Sequence, residues 1–170
     1  MIEFFKYSAK CNRQINSAMS DVILSSDKNP YDAQINGYYK SIGEILDHYY
    51  IADIIWLNTF RQVKESSIFQ NPLFTNIPQW NDRLSGSIET FRQKRESLDQ
   101  LIIDFINELS PEDLNKIISR KTRAGQVLER LLWKALMHML NHDTHHRGQI
   151  SQILDELGIA NDYSNMIRVE

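Results

Sequence analysis

The stretch Asn141-His142-Asp143-Thr144-His145-His146-Arg147-Gly148-Gln149 decides how the rest of the chain is read. It sets His142 and His146 four residues apart, with His138 and His145 close by. Four of the five histidines in the chain thus fall between positions 138 and 146. On an α-helix, positions i and i+4 share a face with Cβ atoms about 5–6 Å apart, so two imidazoles there can reach one ion. The apolar residues around them keep the same period: Leu128, Leu132, Ala135, Met139, Ile150, Ile153 and Leu157 continue the stripe of His142 and His146. The spacing predicts a helix over 126–157, closed by Gly158, with two imidazoles interrupting its apolar face. Gly148 costs about 1 kcal/mol against alanine inside a helix, which points to close packing or to access at that position.

Working outward, three more segments carry helical periodicity. Residues 2–24 place Phe4, Tyr7, Cys11, Ile15, Ala18 and Val22 on one face. Residues 42–64 follow Ser41, an N-cap with Glu44 as its capping-box partner, and their stripe runs Ile45, His48, Ala52, Ile55, Thr59. The fifth histidine, His48, therefore points toward the core from a second helix. Residues 80–109 keep the period from Trp80 through Leu84, Ile88, Phe91, Leu98, Ile102 and Phe105 to Leu109, broken by Arg95. Pro30, Pro72, Pro78 and Pro111 all fall in the gaps between these patterns. Residues 65–79 read as a long loop, a length that is uncommon unless the loop is functional or partly structured. Residues 114–125 fit a short strand, a hairpin or a crossing loop. The expectation is an all-α fold, an antiparallel four-helix bundle with one long connection, forming one domain over residues 1–170.

Composition excludes several classes of function. The net charge is -3 and the 19 basic residues are scattered, so no basic patch marks a nucleic-acid binder. A single cysteine, Cys11, cannot close an internal disulfide and fits a reducing compartment. It reads as a small, half-buried helix residue rather than a reactive thiol. No apolar run approaches the roughly 18 residues a membrane span needs, and no signal-peptide pattern opens the chain. The expectation is a cytoplasmic protein.

His142 and His146, joined by His48 from another helix, would make a three-histidine site with an open position for water or substrate. Pattern alone leaves a second reading open, in which the three are hydrogen-bonded core histidines. Without a metal, however, they would need several buried partners. An imidazole-rich site suits zinc, nickel, copper or iron, and ligand type does not choose among them. His138 and His145 lie on a different stripe and read as surface or outer residues. His142-Asp143-x-x-His146 imitates the His-Glu-x-x-His arrangement of metalloproteases, but aspartate is one methylene shorter than the glutamate that acts as base there. Nothing else in the chain supports a protease.

Asn141 to Ile150, read as Asn-His-Asp-Thr-His-His-Arg-Gly-Gln-Ile, resembles the signature of the DinB family of damage-inducible-type proteins. The segment Ser41 to His48, continuing through Ala52-Asp53 to Trp56-Leu57, resembles that family's second helix with its single histidine. The resemblance spans nearly the whole chain. It implies a DinB-type bundle with one divalent metal per chain, zinc or nickel, on His48, His142 and His146, and a homodimer acting on a small molecule. It also implies chemistry of the kind relatives perform with low-molecular-weight thiols such as bacillithiol or mycothiol. Metal would lower the pKa of such a thiol, and the thiolate would attack an electrophilic substrate. A metal-dependent hydrolase is the enzymatic alternative, and a non-enzymatic, stress-related binding module is the other. Asp47, Asp143 and Gln149 are candidates for orienting the ligands.

Overall fold

The computed structural model describes residues 1–122 and 124–169. Four long helices form its body: α1 over Ile2–Ser25, α2 over Ile42–Phe60, α3 over Ile88–Glu108 and α4 over Leu132–Glu156. No helix among the described residues is long and apolar enough to cross a membrane. An antiparallel hairpin, β1 over Ile117–Lys121 and β2 over Val127–Leu131, joins α3 to α4. The all-α expectation is amended by this hairpin. It takes up the first residues assigned to the fourth helix, so Leu128 sits on an exposed strand rather than in the core.

The helices pack in a ring, with α1 on α3 and α4, and α2 on the same two. Side-chain pairs give the directions. Asn12 and Asn16 of α1 meet Asp143 and Arg147 of α4 in the same order, and Asp53 and Phe60 of α2 meet Arg95 and Phe105 of α3 likewise. Those neighbours run parallel. Asp21 and Asn16 meet Arg92 and Asp99, and His48 and Trp56 meet His142 and His138, so the other two pairs are antiparallel. The antiparallel expectation therefore holds for α1–α3 and α2–α4 only. Because α2 and α3 point the same way, the chain must travel back along a helix of about 28 Å before α3 can begin. Residues 61–87 make that journey, with short 3₁₀ turns at Ser67–Gln70 and Pro72–Phe74.

Helix ends follow local chemistry. Ser41 Oγ accepts from the Glu44 amide, while the Glu44 carboxylate accepts from the Lys40 amide at 2.9 Å. The capping box is thus shifted by one residue at its return bond. Ser87 caps α3 in the same manner, accepting from Thr90, so the helix begins at Ile88. Trp80 and Leu84 lie in the preceding loop, a correction to the predicted start. Gly158 takes a φ of 66°, which a residue without Cβ adopts at no steric cost. Its amide donates to Asp155, and Lys28 Nζ donates to the Leu157 carbonyl at 2.6 Å. The tail beyond it is an irregular strap, as expected, held by Tyr163 Oη on the Arg147 carbonyl and by Tyr7 Oη on the Met166 carbonyl.

The core holds an unusual set of charges. Arg95, the residue that breaks the predicted stripe of α3, is 1% exposed. Its Nε donates to Asp99 at 3.0 Å, and Nη1 lies 2.7 Å from Asp53 Oδ2. Asp143 Oδ2 accepts from Asn12 Nδ2 at 2.8 Å and sits 3.7 Å from Arg95 Nη2. Arg147 Nη1 donates to Asn12 and Asn16. Every helix contributes to this cluster. Burial and then the neighbouring Asp143 push the Asp53 carboxyl well up, against the pull of the Arg95 guanidinium. Cys11 is fully buried on α1, more deeply than the sequence suggested.

Candidate metal centre

The three predicted ligands converge. One ligand nitrogen from each of His48, His142 and His146 lies within 4.8 Å of the others. The ring centroids are 4.4 Å apart for His142–His146, 4.8 Å for His48–His146 and 5.2 Å for His48–His142. The i, i+4 spacing on α4 sets the first distance, and the antiparallel packing of α2 on α4 delivers His48 to the pair. Nε2 of His142 and Nε2 of His146 stand 3.0 Å apart. Two nitrogens bonded to one tetrahedral zinc at about 2.0–2.1 Å lie roughly 3.3 Å apart, so the pair needs little adjustment to share a cation.

The proton positions favour the same use. Gln149 Oε1 lies 2.8 Å from Nδ1 of His146 and accepts its proton, which leaves a lone pair on Nε2. Without a cation, His142 would have to donate from Nε2 to that lone pair. Its own Nδ1, buried and without a hydrogen-bond partner, would then be a bare acceptor. A cation would take both Nε2 lone pairs and end the contest between them, with the His142 proton then on Nδ1. Burial is the main reason both imidazoles are held down to about 4, so they are neutral and available as ligands at neutral pH.

Aromatic walls surround the cluster. The Tyr39 ring is 5.2 Å from His48 and 5.7 Å from His146, and the Trp80 ring is 5.7 Å from His48. The Tyr49 ring lies parallel to His146 at 6.3 Å. Sequence reasoning misses Tyr39 and Trp80 as site residues, because one falls within a polar connection and the other continues a helix stripe. Beyond His48 and His142 opens a cavity of about 560 Å³, bounded by the hairpin, Trp56 and Trp80.

A sequence model described as the DinB family matches residues 1–168. This chain belongs to the DinB family. It is 24% identical over 158 residues to the protein DinB of Bacillus subtilis strain 168, covering 93% of this chain and 86% of that one. Among solved structures it is similar to a DinB-like protein of Bacillus subtilis, with a TM-score of 0.63 at 15% identity over 92% of this chain and 94% of that chain. A DinB-like protein of Bacillus cereus ATCC 10987 gives a TM-score of 0.58 at 18% identity, over 88% and 91% of the two chains. These likenesses carry the fold.

Of the three candidates for orienting the ligands in this DinB-family site, Gln149 is the one hydrogen-bonded to a cluster imidazole. Asp47 is turned the other way: its carboxylate accepts from the amides of Leu84 at 3.2 Å and Ser85 at 3.1 Å, and from Ser85 Oγ. It anchors the end of the crossing loop that carries Trp80. Asp143 belongs to the buried cluster around Arg95 and Arg147. His138 and His145 are exposed, as predicted, with His138 packed edge-on to Trp56 at 5.3 Å. Gly148 has no atom within 4 Å of where a Cβ would stand, so close packing does not explain it. Its side of α4 faces a second opening that also includes Tyr39 and Gln149.

Proposed function

We propose that this DinB-family protein binds one divalent cation, zinc or nickel, through His48, His142 and His146. On that centre it acts as a transferase joining a low-molecular-weight thiol to an electrophilic small molecule. The observation that carries this reading is the meeting of three imidazole nitrogens, two of them on residues that line a cavity. A structural site is filled by four protein ligands, whereas three leave room for a reactant. When bound, the cation supplies Lewis acidity that lowers the pKa of a thiol reaching it. The chain's own part is to hold the imidazoles neutral by burial, to fix the proton of His146 on Nδ1 through Gln149, and to wall the approach with Tyr39 and Trp80. Those walls displace water from the path of an attacking thiolate.

Elemental analysis of untagged protein purified without chelator, run beside His48→Ala, tests the centre. The expected result is close to one metal per chain, lost in the variant while the helical content stays. No metal after reconstitution with zinc and with nickel overturns the assignment and leaves a binding module. Turnover of a panel of electrophiles that depends on added bacillithiol supports the transferase. Turnover that is independent of thiol makes the protein a hydrolase.

A further inference from the structure

The cavity beside the histidines has a chemical character that the metal does not explain. Its far side is formed by the β1–β2 hairpin and the first turn of α4, and these place Arg120, Arg130 and Lys134 around it. Among the described residues that line it there is no aspartate or glutamate. That is contrary to the balance of the chain, where 22 acidic residues outnumber 19 basic ones. The rest of the lining is largely apolar, with Trp56 and Trp80 as its broadest surfaces. Arg120 is packed into this wall, its guanidinium 4.3 Å from the Trp56 ring and 5.6 Å from the Trp80 ring. Trp80 in turn lies 5.7 Å from His48. The guanidinium is thus two ring contacts from a ligand of the proposed centre.

We propose that this side of the cavity is an oxyanion cradle, and that the natural reactant is a small molecule with a carboxylate or phosphate at one end and a planar or apolar body. The inference rests on the proposed reading of the site for what happens at the other end. Stacking on two tryptophans restricts the Arg120 fork, so less freedom is lost when it grips an anion than for a free side chain. Arg130 and Lys134, at the rim, add a field that draws anions toward the opening. A body extending from Arg120 along the tryptophan-lined cavity brings the opposite end of the molecule to His48 and His142.

The test compares 2-naphthoate with 2-naphthamide by quenching of tryptophan fluorescence, on the full chain with its metal content measured in the same samples. The pair differs chiefly in charge. The acid should bind about tenfold more tightly than the amide, the gain expected of one charge-assisted contact. In Arg130→Gln/Lys134→Gln, which changes exposed side chains only, the preference should fall several-fold with affinity for the amide unchanged; Arg120→Gln should abolish it. 2-Naphthyl phosphate, run alongside, tells by its larger or smaller loss whether the cradle suits a phosphate or a carboxylate. An acid preference that survives in all variants means that the metal holds the carboxylate, and the cradle is wrong. Equal binding of acid and amide, or binding of neither, also overturns it. Samples without metal that still prefer the acid would leave the cradle standing on its own, whereas the metal centre fails only if reconstitution with zinc and with nickel loads no metal.

Discussion

Gln149 Oε1 and His146 Nδ1 stand 2.8 Å apart, three residues along the same helix, and this contact leaves Nε2 as the imidazole nitrogen that meets His142. Replacing Gln149 with leucine keeps the bulk and removes the acceptor. Zinc affinity should then fall by about tenfold or more, the usual cost of losing such an outer contact. Competition against a chelator of known affinity measures it, with the melting temperature of the metal-free protein as control. An unchanged affinity would deny Gln149 any orienting role.

The depressed imidazoles make stability depend on pH. In the unfolded chain His142 and His146 titrate near 6.5, whereas in the fold burial holds both down to about 4. Between those values the unfolded chain binds more protons, so stability is complete above about pH 6.5 and declines as the pH drops toward 4. Thermal melts of metal-free protein across that window should show the decline, and His142→Asn/His146→Asn should flatten it. A cation on the same nitrogens should be released only as the pH approaches about 4, where protons begin to compete for the lone pairs of the folded protein.

Arg95 and Asp53 face each other in the core but should respond very differently to substitution. Arg95→Met strands Asp99 and Asp143 without their main counter-charge and should cost about 3–5 kcal/mol. Burial pushes the Asp53 carboxyl up toward its neutral form, and Asp53→Asn is a neutral isostere, so it should change stability by less than about 1 kcal/mol. Urea unfolding of the two variants gives the comparison. Equal losses would show that Asp53 is ionised in the fold.

Gly148 gives a prediction of opposite sign. The space around it is open and it lies inside α4, so Gly148→Ala should stabilise the protein by about 0.5–1 kcal/mol. A loss of stability would mean that the helix is packed there after all. If turnover falls while stability rises, the opening lined by His145 and Tyr39 serves access.

The histidines were legible because two signals coincide: a four-residue spacing on one helix, and one isolated imidazole on the inner stripe of another. The helices were legible from the same period. Its phase was less so. On α1 the buried face runs through Phe5, Ala9, Asn12 and Asn16, while Phe4 and Tyr7 are exposed. The cause is the polar cluster, since Asn12, Asn16, Asp53, Arg95, Asp99, Asp143 and Arg147 occupy interior positions that a hydrophobic count assigns to solvent. Periodicity also cannot tell a stripe residue from a loop aromatic, which is why Trp80 reads as part of α3. The hairpin escapes firm assignment because its strands are five residues each and β2 is mostly exposed, with no alternation to mark it.

The parallel run of α2 and α3 has a consequence for how such a protein can change over time. Topology obliges residues 61–87 to be long, and that obligation is met by a segment whose end, pinned by Asp47, sets Trp80 against His48. The hairpin is likewise a connection, held just past the end of α2 by Gln62 on the Ser119 backbone. The proposed ion-holding residues are therefore inherited with the helices, and the recognition surfaces with the joints between them. A lineage can rewrite what the cavity accepts by editing joints alone, leaving the histidines and the charged core untouched. Divergent substrates on a constant frame are what such a division of labour permits.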